Sequence, residues 1–425
     1  MSGEGQPRLE RRIGPLGSAL LSFNGIVGAG IFALPAALHA QFGTFSPWLF
    51  PIFGSLILLV ALPFANLAAL FSSSGGPVAY TACFGRIASF QVGWVYYLAR
   101  LTAFAANANV FATYAAALWP PLGSVVGRAA VILALISLVT WVNVVGVKRA
   151  IRALDVVTLF KALPLVALAV GALAMAGEVK LAGEVPQFGT LEAAALMTLY
   201  AFVGFENSVV PAGETKDPRR TIPRMLVATV AATALLYFLV QLAYVSVMPE
   251  GAQQPEAPLA ELASMLVGPV GIILLSLTAM ASVAGNFLGS MTSTPRVTYA
   301  LAEDGLIPRW FARVNAKWRT PANSVLFMGL AGAALALTGS FVWLALVSTL
   351  ARLFVYGTSI AALPAARRSE GKGTGLALWL LILGGLMVCV WAAAQSELRS
   401  WLMLGGLLAV GALLYAIESR ARRRR

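Results

Sequence analysis

About twelve apolar runs of roughly 20 residues each limit what this chain can fold into. A helix rising 1.5 Å per residue crosses the hydrocarbon of a bilayer in about 20 residues. The runs lie near 16–38, 45–71, 90–118, 126–145, 154–176, 190–212, 225–248, 265–295, 322–339, 341–363, 375–394 and 399–417. Lipid offers a backbone no hydrogen bonds, so each run reads as a helix that satisfies its own polar groups. Of the 425 residues only 11% are charged and 59% are hydrophobic, whereas a soluble domain is roughly a quarter charged. The expectation is an all-α polytopic membrane protein. The start, MSGEGQPRLERRIGP, lacks a signal-peptide pattern, so the first run is expected to stay as a membrane helix.

The formal net charge of +13 raises the question of anionic partners. Its placement answers for orientation instead. Most Lys and Arg fall in alternate connecting segments, among them Arg8, Arg11 and Arg12; Lys148, Arg149 and Arg152; Lys216, Arg219, Arg220 and Arg224; Arg309, Arg313, Lys317 and Arg319; Arg367, Arg368 and Lys372; and the tail ARRRR. The opposite loops carry Glu178, Glu184, Glu250, Glu256 and Glu261. This positive-inside bias places both termini in the cytoplasm and supports an even number of spans. Nucleic acid is not expected as a partner. Membrane lipid is, and the tail at 418–425 suits anionic head groups. Short loops without targeting signals suggest a multi-pass protein of a bacterial inner membrane.

Cofactor and enzyme chemistry find little support. Cys83 falls in a loop and Cys389 inside a span, so a disulfide is not expected. The single histidine, His39, cannot form a relay or a metal cluster. No phosphate loop or nucleophile–base pair is present, and GAG at 28–30 lies inside an apolar helix, not after a strand. No cofactor and no metal are expected.

Two runs are interrupted. The first, FNGIVGAGIFALP, carries Gly25, Gly28 and Gly30 and then Pro35. The sixth, LYAFVGFENSVVPAGETKDP, carries Gly204, Pro211 and Gly213. An anchor has no use for glycine near mid-membrane. Interruptions at corresponding positions of two halves point to a transporter site between inverted repeats. The expected division is a cytoplasmic segment 1–15, a first repeat 16–176, an inverted second repeat 189–363, two added helices within 375–417, and the basic tail.

Three stretches give the chain a resemblance: GIVGAGIF, FVGFENSVVPAGETKDPRRTIPR and RVTYALAEDGLIPRWFARVNAKWRTP. In this order and at these spans they resemble the amino acid–polyamine–organocation superfamily of amino acid permeases, over essentially the whole length. The resemblance implies a five-plus-five inverted repeat with broken helices 1 and 6. It implies a small-molecule amino acid substrate whose carboxylate sits on the backbone around Gly28, Ala29 and Gly30. The substrate ammonium would face carbonyls of Ile26, Tyr200 and Val203, next to Gly204. Tyr200 aligns with an aromatic that covers the substrate. Glu206 would be a gate or proton-sensitive group. Lys161 would hold its ammonium where sodium-coupled relatives hold Na⁺, which implies Na⁺-independent transport coupled to protons or to exchange.

The remaining polar residues of the spans leave alternatives open. Arg100, with Tyr96 and Asn286, is a candidate for the side-chain pocket. Arg100 pairs with Glu206, contacts an acidic substrate, or faces a water-filled cavity. If it is free in the pocket, anionic side chains gain; if it pairs with Glu206, neutral ones do. Arg352 has no clear family role. Ser282, Asn107 and Asn109 fit either a pocket or helix–helix hydrogen bonds. Asp217, Arg219 and Arg220, with Glu303, Asp304 and Arg309, fit a cytoplasmic gate network. Neutral amino acids are the expected substrate, with cationic amino acids or polyamines and acidic amino acids as alternatives. A sensor built on a transporter fold is the alternative of a different class. Monomer and homo-oligomer both remain open.

Overall fold

The computed structural model describes residues 13–71, 76–145, 150–181, 183–209, 215–249 and 255–423. Arg8, Arg11, Arg12, Lys148, Arg149, Pro211, Gly213, Glu250 and the last two arginines of the tail lie outside the described residues, as does the side chain of Arg152. The helices are α1 (Pro15–Ile26), α2 (Ala29–Phe42), α3 (Ser46–Ala68), α4 (Gly76–Tyr80), α5 (Arg86–Leu118), α6 (Val125–Val145), α7 (Ala150–Met175), α8 (Phe188–Phe202), α9 (Glu206–Val209), α10 (Pro218–Val247), α11 (Pro258–Val267), α12 (Pro269–Ser293), α13 (Pro295–Glu303), α14 (Ala322–Thr338), α15 (Phe341–Ser369), α16 (Leu376–Ala394) and α17 (Leu398–Arg423).

Within the described residues each expected apolar run lies mainly on helix, and the expected interruptions divide the first run into α1 and α2 and the sixth into α8 and α9. Among the described residues, eight helical stretches are long and apolar enough to cross a membrane. Of the other four expected runs, two are the broken spans, each made of half-helices, α14 has only 17 residues, and α7 is described with its side chains only over Lys161–Met175. The expected eighth run is also divided, because Gly268 (φ +63°) turns the chain between α11 and α12.

The half-helices sit inside. Ile26, Val27, Ala29, Ile31 and Phe32 on one side, and Phe202, Phe205 and Val209 on the other, are buried in one continuous apolar core. Long spans surround them: α1 packs on α10, α10 on α3 and α7, α5 on α12 and α15, and α16 on α3 and α15. Apolar side chains that remain exposed, such as Leu398, Leu402, Leu413 and Ile417 on α17 and Val125, Leu133 and Leu138 on α6, suit contact with lipid tails.

Candidate functional site

The first break is short. α1 ends as Val27 N–H donates to Phe23 O, and Gly28 N–H donates to Ile26 O. α2 then begins at Ala29, and no side chain caps it. The opening N–H groups of a helix have no partner within it, so an uncapped start presents free donors at the positive end of the helix dipole. The carbonyls at the end of α1 are in use: Ile26 O accepts from the Tyr237 hydroxyl, and Val27 O accepts from Lys161 and from the Ser282 hydroxyl.

The second break leaves α8 at Val203 and turns at Gly204, whose φ of +114° belongs to the region that favours glycine. Gly204 N–H donates to Oε2 of Glu206, 3.0 Å away. The two breaks meet through glycine. A methyl group at Gly25 or at Gly204 would collide with the backbone carbonyl of the other. A methyl group at Gly30 would press on Ala201 Cα at 3.1 Å, while at Gly28 it would meet the Asn286 amide at 3.2 Å. Gly25 and Gly30 therefore serve close packing of the two broken spans, and Gly28 faces a polar side chain.

A cavity lies where the breaks face each other. Gly25, Ile26, Gly28, Ala29, Gly30, Tyr200, Val203 and Gly204 line it, with Arg100, Ala103, Asn107, Asn207, Asn286, Ser290 and Arg352 from neighbouring helices. About 40 Å³ is open to the centres of water molecules, room for roughly three ordered waters. Of the candidates named from sequence, the structure brings together Ile26, Gly28, Ala29, Gly30, Arg100, Tyr200, Val203, Gly204 and Asn286 on this wall. Asn286 donates to the carbonyls of Asn24 and Gly25 and accepts from Asn107 at 3.1 Å. Tyr200 packs edge-on against Phe341.

Glu206, Lys161 and Tyr96 stand behind that wall. Glu206 is fully buried and fully partnered: Oε1 accepts from Arg352 Nε at 3.1 Å, and Oε2 accepts from the Tyr356 hydroxyl at 2.8 Å as well as from Gly204. The carboxylate thus ties the turn of the sixth span to α15. Its ion-pair partner is Arg352 and not Arg100, one of the three openings that sequence left for Arg100. Arg352 also donates to Ser348. Ser348, Arg352 and Tyr356 recur every four residues on one face of an apolar helix, a pattern that could have singled out Arg352.

Lys161 is 1% exposed. Its ammonium donates to Val27 O and Asn24 Oδ1, both at 2.7 Å, and to Asn24 O at 3.3 Å. Three acceptors match its three protons, and two are carbonyls at the negative end of α1. Asn24 is a site residue that sequence reasoning passed over. Tyr96 lies one turn from Arg100 and accepts from its guanidinium at 3.1 Å.

Other candidates separate from the site. Asn109 donates to Ala336 O and Gly339 O, which is helix packing. Asp217 approaches Arg220 at 4.0 Å, Glu303 accepts from Tyr299, and Arg86 at the start of α5 donates to Asp304 O just past α13. Cys83 is exposed and Cys389 buried.

The chain is 28% identical to an uncharacterized transporter of Mycobacterium tuberculosis, over 98% of this chain and 93% of that one. It is 26% identical to the methylthioribose transporter of Bacillus subtilis, over 97% and 94% of the two chains. It is also 26% identical to the mitochondrial cationic amino acid transporter 3 of Arabidopsis thaliana, over 79% of this chain and 58% of that one. Among solved structures, MhsT in complex with L-phenylalanine superposes with a TM-score of 0.66, covering 92% of this chain and all of that one. At 12% identity the likeness is one of fold alone. The family model for amino acid permeases matches residues 13–409, and the chain belongs to that family.

Proposed function

We propose that the chain is a secondary amino acid transporter that works by alternating access around the cavity between the two breaks, without Na⁺, driven by protons or by exchange. The observation that carries this reading is the uncapped start of α2 opening on a cavity whose other wall is the break of the sixth span. A substrate carboxylate on the N–H groups of Ala29 and Gly30 would find donors and a favourable dipole. Its ammonium would face carbonyls of Tyr200 and Val203 within the same wall, and that of Ile26 once it gives up one of its two present donors, Gly28 N–H and the Tyr237 hydroxyl. Tyr200 would cover the substrate. Glu206, through Gly204 and Arg352, would couple the shape of the site to α15 and act as a gate.

Na⁺ independence rests on Lys161. Backbone and amide oxygens such as Val27 O, Asn24 O and Asn24 Oδ1 suit a hard cation, and here an ammonium occupies them. Cationic amino acids and polyamines fit poorly, because two guanidinium groups line the cavity and like charge there opposes binding. The repeat boundaries at 16–176 and 189–363, cytoplasmic termini and a bacterial inner membrane complete the proposal, as does transport with no chemical conversion of the substrate.

The test is counterflow in proteoliposomes, with Na⁺ replaced by choline. Vesicles are loaded with one unlabelled amino acid, and uptake of the labelled form is followed. Transient accumulation with at least one class is expected. No accumulation with any amino acid, from protein shown to be folded, sinks the reading. Uptake that rises steeply with Na⁺ at fixed pH and membrane potential sinks its Na⁺-independent part.

A further inference from the structure

Three basic side chains are buried around the breaks, and they differ in what meets their charge. Lys161 has the oxygens that end α1. Arg352 has the carboxylate of Glu206. Arg100 has neither. It is 6% exposed and lines the cavity. Its Nε donates to Thr294 Oγ1 at 2.7 Å, Nη1 to the Tyr96 hydroxyl and to Asn207 Oδ1 at 3.1 Å each, and Nη2 to Ser293 Oγ at 2.8 Å. Every one of these acceptors is neutral. A guanidinium has five N–H donors, so one proton on Nη2 keeps no acceptor among the described residues. None of their carboxylates forms an ion pair with Arg100.

A buried cation hydrogen-bonded only to neutral groups, with the nearby Glu206 carboxylate bonded to Arg352 instead, is costly, and inside a membrane such a group usually marks a substrate path. The cavity is bordered by two guanidinium groups, and the carboxylate beside it is committed to one of them. One positive charge is left over. A zwitterion does not balance it, because its own charges cancel. A ligand with one further negative group does. Arg100, Ala103 and Asn107 line the cavity from one face of α5, with a single methyl at Ala103 between the two polar side chains.

We infer that Arg100 reads an anionic side chain, and that the preferred substrate is an amino acid with a side-chain carboxylate. This rests on the amino acid transport reading above. The second carboxylate takes the free Nη2 proton and replaces one or more of the neutral acceptors, forming the shorter and stronger charge-assisted hydrogen bonds of an Arg–carboxylate pair. The amide analogue brings no charge and sets an NH₂ group against guanidinium donors, so it is rejected by repulsion as well as by lost attraction.

The experiment compares each acid with its near-isosteric amide in the full-length protein. Proteoliposomes are loaded singly with glutamate, glutamine, aspartate or asparagine, and uptake of the matching labelled compound is followed in chloride and in gluconate. At least one acid is expected to exchange about tenfold or more faster than its amide, equally in both salts. Arg100→Gln is expected to lower the acid's rate about tenfold or more and to erase the preference. If that variant fails to fold, the wild-type ratio decides: any smaller ratio overturns the inference. Neutral exchange that requires chloride in the wild type also overturns it and makes a separate small anion the partner of Arg100. Exchange of some other amino acid but none of these four overturns the inference and leaves the transport reading standing; exchange of no amino acid at all removes both.

Discussion

Lys161 and Arg100 are both cations buried in membrane-spanning helices, yet the protein treats them in opposite ways. Lys161 caps the negative end of a half-helix: its protons meet two backbone oxygens at the break in the first span and the side-chain oxygen of Asn24. Val27 O and Asn24 O keep second donors in Ser282 and Asn286, so the lysine depends on these oxygens more than they depend on it. Arg100 is ringed by three hydroxyls and one amide, groups that can turn to other partners, and it faces the cavity. Burial alone therefore does not tell a structural cation from a ligand-reading one. The charge and replaceability of its partners do. Arg352 extends the scale at the compensated end, with a carboxylate at 3.1 Å that is itself held by Tyr356 and Gly204.

The comparison breaks most visibly at its most compensated member. Glu206→Gln leaves Arg352 buried without a counter-charge, a loss of about 3–5 kcal/mol by analogy with other buried pairs cut at one end. A large fall in apparent melting temperature, or loss of monodisperse protein in detergent, is expected. Adding Arg352→Met to that variant removes the stranded charge and recovers part of the loss. If Glu206→Gln melts like the wild type, compensation by this carboxylate is not what holds Arg352. Lys161→Met comes next. It strands Asn24 Oδ1, at about 1–3 kcal/mol for a group left unsatisfied, while Val27 O keeps the Ser282 hydroxyl and Asn24 O keeps Asn286, so its melting temperature is expected to fall by less than that of Glu206→Gln. A fall as large as that of Glu206→Gln would show that Lys161 is held by more than these three acceptors.

The breaks were legible in the sequence because the bilayer fixes the length of a span and glycine marks where a helix gives way. The cavity wall at Gly28, Ala29, Gly30, Tyr200 and Val203 follows from those two breaks. What stayed hidden was pairing at long range. Glu206 lies 146 residues from Arg352 and 106 from Arg100, and nothing local ranks one guanidinium over the other. The four-residue recurrence of Ser348, Arg352 and Tyr356 was the available signal. The division of labour among glycines was hidden for the same reason. Gly25 and Gly204 are tied to each other across the molecule, a contact that depends on how the two broken spans cross. Asn24 escaped notice because its role depends on a lysine that is adjacent in space but 137 residues on in sequence.

The smallest expected effect on stability belongs to Arg100→Met, and that contrast sharpens the comparison most. The substitution removes four hydrogen bonds to neutral acceptors, each worth about 0.5–1.5 kcal/mol. It also removes a cation that burial penalises, which offsets much of that loss. The hydroxyls left behind have other outlets; Ser293 Oγ already donates to Gly289 O. A melting temperature nearer to the wild type than that of either Lys161→Met or Glu206→Gln is expected. A fall matching Glu206→Gln would mean that the fold itself compensates Arg100, and the distinction from Lys161 would collapse. The ligand response should run the other way. A ligand present at 100 times its Kd stabilises a folded protein by about 2.7 kcal/mol. Glutamate or aspartate at saturation should therefore raise the melting temperature of the wild type and of Lys161→Met protein that retains its site, while leaving Arg100→Met unmoved. A cation that holds the fold and a cation that waits for a ligand are then separated by two readings of one melting curve.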